Sequence, residues 1–353
     1  MNLDDLAAVA AADPGGMLGV IEGAAEQWLD AAARARATDL SGAPTHGEIA
    51  HVVVCGMGGS GIAGDVTQAI CAARGAVPVT VVKGYTLPAF AREHTLVFCV
   101  SYSGNTEEAL ACATEAHDRR APMIAVATGG RLGELAHEHG LPCVAPAAGL
   151  MPRAAFPYLA TAPLIVLERL GLLGDLTGDL VELDSVLREQ TAVCARATPA
   201  GDNPAKRLAG VLEGRLLHVW GQEGALSVAA SRWRTQLNEN AKMPAYSSVL
   251  PELDHNEVVG YDPGVRWLSH VAIVALRSPT EDPRITRRVE ATARLVEGMV
   301  ASVEHVHARG VSPLAQLASA AQLGDFTSAY LAILRGVDPS PIEPIERLKA
   351  EIS

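Results

Sequence analysis

The chain has 353 residues, enough for two domains, and its 49% hydrophobic content fits a large buried core in which aromatics, at 4%, play little part. A formal net charge of −12 argues against a nucleic-acid partner, which would demand a basic surface. It leaves room for a small phosphorylated ligand held by a local nest of donors.

The first segment, "MNLDDLAAVAAADPGG", is acidic, lacks a charged leader region and reads as an Ala-rich helix capped by Asp. "IAHVVVCG" then reads as a strand whose glycine loop opens a helix near 61–73. "VPVTVVKGY" and "HTLVFCVSYSG" are further strands, the second followed by a helix over about 105–118. "PMIAVATGG" and "LPCVAPA" complete a set of short apolar strands alternating with helices, the pattern of a parallel sheet covered on both faces. Residues 154–200 read as helical and as a connection between lobes.

At 214–242 the strand, glycine turn and helix recur, and "HVVVCGMGGSGIAGD" and "RLLHVWGQEGALSVA" look like divergent copies of one unit. A strand in "VRWLSHVAIVALRS", a short one in "VEHVHARG", a helix near 312–335 and a terminal helical segment follow. The longest apolar runs, such as "HVAIVAL", are strand-length and too short to cross a bilayer. Six cysteines, none in CxxC spacing, read as small hydrophobes in a reduced, cytoplasmic protein.

The loop Gly56-Met57-Gly58-Gly59-Ser60-Gly61 satisfies G-x-G-x-x-G, the dinucleotide fingerprint. That reading also asks for a carboxylate roughly 20 residues on, to accept a ribose hydroxyl. The next strand ends instead in Lys83 and Gly84. Lys83 could meet an NADP 2′-phosphate, and a tight turn with no ligand is an equal alternative for this loop alone. The loop after the third strand shifts the balance. Ser101, Ser103, Asn105 and Thr106 crowd the start of a helix, where exposed N–H groups and the positive dipole end make an anion site. The same residues could serve only as caps. Three hydroxyls beside a second Gly/Ser loop, at one edge of a parallel sheet, favour a phosphate monoester.

The pairing of "GMGGSGIAGD" with "SYSGNTEE" resembles the sugar isomerase (SIS) domain. "MPRAAF", "RTQLNENAK", "LPELDHNEVVG" and "GVDPSPIEPIERLK" extend the resemblance along nearly the whole chain, and narrow it to the bifunctional phosphoglucose/phosphomannose isomerase family. The resemblance implies an α/β protein of two SIS lobes, each a mostly parallel sheet flanked by helices. Residues 1–155 would form the N-terminal helices and a phosphate-binding first SIS domain. Residues 156–205 would be a helical connection, and 206–353 a second SIS domain with a C-terminal helix. It further implies a homodimer that interconverts glucose-6-phosphate or mannose-6-phosphate with fructose-6-phosphate through a cis-enediolate, without metal or cofactor.

Residue by residue, the resemblance makes Glu239 the base that carries the proton between C1 and C2, a task suited to a carboxylate. On its own Glu239 would be an ordinary solvated glutamate near a helix end. His255 would open the ring, an imidazole being able to exchange a proton with the ring oxygen near neutral pH. Its bland alternative is a loop histidine hydrogen-bonded between Asp254 and Glu257. In the family the equivalent histidine crosses the dimer interface, which would place His255 in the neighbouring subunit's site. Lys349 would assist ring opening or hold substrate, and Arg153, whose charge cannot be titrated away, would stabilise the enediolate. Gly59, Ser60, Ser101, Ser103 and Thr106 would bind the sugar phosphate. The contact that separates the C2 epimers is placed near Ser340. Two rivals stand beside this reading: a non-catalytic SIS sugar-phosphate sensor, and an NADP-dependent reductase resting on the glycine loop and Lys83. Neither membrane nor nucleic acid is expected as a partner.

Overall fold

The structure, a computed structural model, describes residues 1–352. The chain opens with α1 (Leu6–Ala12) and α2 (Met17–Glu22). Asp5 caps α1 as expected, its carboxylate accepting the Ala7 and Ala8 amides at 3.1 and 3.0 Å. The chain then separates into two compact units: residues 24–184, and residues 1–23 together with the chain from Ser185 onward.

The first unit runs α3 (Ala24–Ala37), β1 (His51–Cys55), α4 (Gly58–Arg74), β2 (Val79–Val82), β3 (Thr95–Val100), α5 (Glu107–Asp118), β4 (Met123–Val126), α6 (Gly130–Glu138), β5 (Cys143–Val144) and α7 (Phe156–Arg169). Its five strands are all parallel, in the order β2-β1-β3-β4-β5. Every residue of β3 is buried, which explains why "TLVFCV" is apolar without alternation. One sheet face, Val53, Cys55, Val97, Cys99 and Met123, packs on the small side chains Cys112, Ala113 and Ala116 of α5 and on Leu132 of α6. The other face, at Val54 and Val81, takes α4 so closely that a Cβ at Gly64 would lie 2.7 Å from Val81 Cγ1.

In the second unit, α8 (Thr177–Cys194), which carries the boundary, leads to α9 (Pro204–Leu212), β6 (Leu216–Gln222), α10 (Ala225–Glu239), β7 (Ala245–Leu250), β8 (Val271–Arg277), α11 (Pro283–Val296), β9 (Ser302–His307), α12 (Pro313–Leu334) and α13 (Glu343–Ile352). Its parallel sheet has the order β7-β6-β8-β9. Trp220, Leu250, Leu253, Ile273 and Val289 form the core of one face. Opposite, α10 packs on α12, a mostly apolar helix buried along nearly its whole length, with Trp233 Nε1 donating to the Ala320 carbonyl at 2.7 Å.

The two-lobe α/β architecture is the one expected, but the units divide the chain differently from 1–155, 156–205 and 206–353. Helix α7 is no connector. Its residues Phe156–Leu167 are all buried, so it belongs to the core of the first unit. The first 23 residues join the second unit because Glu22 pairs with Arg196 at 2.6 Å and Met17, Leu18 and Ile21 are buried. Helix α4 starts at Gly58 rather than near 61, and the strand in "LPCVAPA" shrinks to Cys143–Val144. Among the described residues no helix is long and apolar enough to cross a membrane.

One glycine of the hydroxyl-rich loop fixes its path. Gly104 has φ +72°, and a Cβ there would overlap the Gly129 carbonyl oxygen. Gly104→Ala should cost about 1–3 kcal/mol or more of unfolding free energy, measured by urea denaturation, with the loop displaced.

Candidate active site

The first unit builds a donor-lined edge. Cys55 and Cys99 are register neighbours, so β1 and β3 release their following loops side by side at the carboxyl edge of the sheet. The first loop enters α4 at Gly58 with Met57 as N-cap and no side-chain cap, leaving early amides and the positive end of a 17-residue helix at this edge. Gly59 is required by close approach: a Cβ there would stand 3.1 Å from the Pro152 carbonyl oxygen and 3.4 Å from Arg153 Cα. Glycine thus brings the α4 terminus against the strand of chain that carries Arg153, a buried residue.

The second loop is tied to the first by the Tyr102 amide, which donates to Ser60 Oγ at 3.4 Å. Ser101 is fully buried, and its hydroxyl lies 2.8 Å from Thr106 Oγ1 while accepting the Thr106 amide at 3.3 Å. Thr106 is the N-cap of α5 yet gives that helix no side-chain cap bond. Simple capping therefore does not account for it; Ser101 and Thr106 brace each other across the loop mouth. Ser103 is exposed, its hydroxyl accepting the Asn105 amide at 3.3 Å.

Tyr102 carries no signal in the sequence, yet it organises the region. Its hydroxyl donates to the Ala147 carbonyl at 2.8 Å and accepts the Leu150 amide at 2.9 Å, pinning the segment that runs on to Arg153. Lys83, the residue that could have met a 2′-phosphate, is engaged by Asp65 of α4, with Nζ 2.5 Å from Oδ2. The glycine fingerprint is thus left without either ribose partner.

In the second unit Glu239 is the last residue of α10 and half-buried. It opens onto a cleft of about 800 Å³ whose walls include Lys242, Met243, Pro244, Asp338, Ile342 and Ile345. The turn after α10 is firmly held. Asn240 is buried and donates to Ser328 Oγ at 3.0 Å. Lys242, at φ +54°, donates to the carbonyls of Glu239 and Pro339 at 2.5 and 3.1 Å, linking the helix end to the terminal segment. Arg335 donates to the Ala241 and Lys242 carbonyls from the end of α12. Lys349 is exposed on α13, one turn beyond Ile345 and so on the same helix face as that cleft-lining residue. Ser340 packs against the N-terminal segment, where a Cβ at Gly15 would overlap its side chain.

His255 ends a short 3-10 turn, Glu252–His255, and is exposed. It is not held between Asp254 and Glu257. Asp254 accepts Thr292 Oγ1 at 2.7 Å and Arg288 Nη1 at 3.3 Å, and Glu257 accepts Ser248 Oγ at 2.5 Å. His255 does not line the Glu239 cleft.

Comparison with known proteins decides the family. The chain is 37% identical over 306 residues to the bifunctional phosphoglucose/phosphomannose isomerase of Caldicellulosiruptor bescii, covering 87% of this chain and 90% of that one. It is 33% identical over 303 residues to the protein of the same name from Aquifex aeolicus, covering 85% and 90%. It belongs to the bifunctional phosphoglucose/phosphomannose isomerase family. Residues 201–352 match the family described as the bacterial phospho-glucose isomerase C-terminal SIS domain. Among solved structures, a hypothetical protein from Thermus thermophilus shares the fold, with a TM-score of 0.73 at 19% identity, over 96% of this chain and 90% of that one.

For this member of the phosphoglucose/phosphomannose isomerase family, the expected residues fall in two sets. Gly59, Ser60, Ser101, Ser103, Thr106 and Arg153 share the carboxyl edge of the first unit. Glu239, His255 and Lys349 belong to the second, where Glu239 lines a cleft, Lys349 lies along its bordering helix and His255 stands on a separate turn.

Proposed function

We propose that this isomerase interconverts fructose-6-phosphate with glucose-6-phosphate and mannose-6-phosphate by proton transfer through a cis-enediolate. The observation that carries the reading is Glu239, a carboxylate lining a cleft with room for a sugar phosphate, in a chain related to named isomerases over most of its length. Four tasks are divided among the residues. The α4 amides, with Ser60, Ser101, Ser103 and Thr106, anchor the phosphate. His255 and Lys349 open the ring, moving the proton between the ring oxygen and the anomeric hydroxyl, on C1 of the aldoses and C2 of the ketose. Glu239 takes the proton from one carbon and returns it to the next. Arg153 meets the negative charge of the enediolate without giving up a proton of its own. Protonating C2 of that planar intermediate from its two faces yields the two aldose epimers, and a contact near Ser340 sets their ratio.

A sensor that only binds sugar phosphate would have no use for Glu239, His255 and Lys349 together. The reductase reading loses its remaining support once Lys83 is paired with Asp65. The proposed enzyme is a cytoplasmic homodimer in which His255 serves the neighbouring subunit. Six free cysteines, five of them buried, fit a reducing compartment, and an exposed His255 fits donation to a second copy.

The deciding experiment supplies purified protein with fructose-6-phosphate and no nicotinamide, and assays both aldose phosphates. Both should form; formation of neither would sink the isomerase reading. The double variant Ser103→Ala, Thr106→Ala should raise KM by roughly tenfold or more, since hydrogen bonds to a charged group are lost, while kcat stays nearly constant.

A further inference from the structure

We propose that Glu257 is a positioning residue for His255, anchored by Ser248 and His218, which together fix the turn that presents the imidazole. The inference rests on the isomerase reading and on the role of His255 within it. The turn is held at nearly every residue except the one it displays. Leu253 is fully buried in the sheet-face core. Asp254 is bound by Thr292 and Arg288 of α11. Asn256 donates to Glu252 Oε1 at 2.9 Å and accepts the Glu257 amide at 2.6 Å. Glu257 is bound by Ser248 of β7. His255, in the middle, is exposed and takes part in none of these bonds.

The anchor of Glu257 has a defined direction. Trp220 Nε1, which can only donate, lies 3.4 Å from His218 Nδ1, so Nδ1 accepts and the imidazole proton sits on Nε2. Tyr261 Oη, 2.7 Å from the same nitrogen, is the principal donor to its single lone pair, with the longer Trp220 contact beside it. His218 Nε2–H then donates to Ser248 Oγ at 2.7 Å, leaving the serine proton for the Glu257 carboxylate. Burial holds the His218 imidazole below its usual pKa, against the opposing pull of Glu257, which keeps the ring in the neutral form this chain of bonds requires. The carboxylate nearest to His255 on its C-terminal side is thereby occupied elsewhere. His255 is not held by it, and the imidazole stays free to face substrate.

The test is a double-mutant cycle on purified full-length enzyme with fructose-6-phosphate, with thermal melting to confirm folding. Glu257→Ala should lower kcat about tenfold while KM stays within about twofold, because a displaced imidazole slows ring opening without touching the phosphate site. Glu257→Gln, whose amide oxygen can still accept the Ser248 proton, should restore kcat to within about threefold of wild type. In the His255→Ala background, Glu257→Ala should change kcat less than about twofold. Should Glu257→Ala not fold, Ser248→Ala runs the same cycle. Multiplicative losses, an unaffected kcat in Glu257→Ala, or a Gln variant as poor as the Ala variant would each overturn the proposal. A normal Glu257→Ala beside an impaired His255→Ala defeats only the positioning role. An unimpaired His255→Ala defeats it together with the role of His255, and an inactive wild type defeats the isomerase reading itself.

Discussion

Glu239→Gln is expected to lower kcat for fructose-6-phosphate by about 10²–10⁴-fold with KM little changed, the range for loss of a positioned general base. The variant is isosteric, and several groups besides that carboxylate hold the turn it sits on. Lys242 binds the Glu239 main-chain carbonyl, Asn240 is bound by Ser328, and Asn238 Oδ1 accepts the Ala245 amide at 2.9 Å. The cleft should therefore keep its shape and its affinity for substrate. A rise in KM at constant kcat would instead make Glu239 a binding residue, and no change in either would return it to the solvated glutamate its sequence context alone suggests.

Arg153→Ala should cost about 10²–10³ in kcat, the scale for removing a donor that meets developing negative charge. Arg153 is buried and its Cα lies in contact range of Gly59, at the terminus of α4, so its charge stands in a site from which water is partly excluded. There it is worth more than at a surface. Removing a large buried side chain also leaves a cavity, so the variant should melt at lower temperature. Arg153→Lys separates the two effects. It should recover most of the stability but only part of kcat, because a lysine keeps the charge and loses the planar donor fork. Full recovery of kcat by lysine would mean that charge alone suffices.

Local pattern made the sheets legible. Strands such as "HTLVFCV" and the residues after β1 announced themselves by apolar runs ending in glycine or serine, and the loops they feed carry donors in plain view. Length and composition could not reveal which helices belong to which core. Helix α7 reads as a linker by its position, and becomes core only because an all-apolar helix must bury every face. The residues that organise the site were likewise invisible. Tyr102 acts through partners 45 and 48 positions away, and Ser248 meets His218 across 30. The surroundings of His255 are hidden for the same reason. Nearness along the chain suggested Asp254 and Glu257 as its partners, whereas the fold supplies each with a donor from another element. Glu239, His255 and Lys349 were reachable only through resemblance, since each alone is an ordinary polar residue.

The central claim is that a carboxylate carries a proton through an enediolate, and one measurement tests it most directly. Fructose-6-phosphate is taken to equilibrium by the wild-type enzyme in D₂O and followed by NMR. Over many turnovers a proton held on a side chain exchanges with solvent, so deuterium should accumulate at C2 of both glucose-6-phosphate and mannose-6-phosphate. Aldose phosphates that reach equilibrium with only protium at C2 would contradict the account.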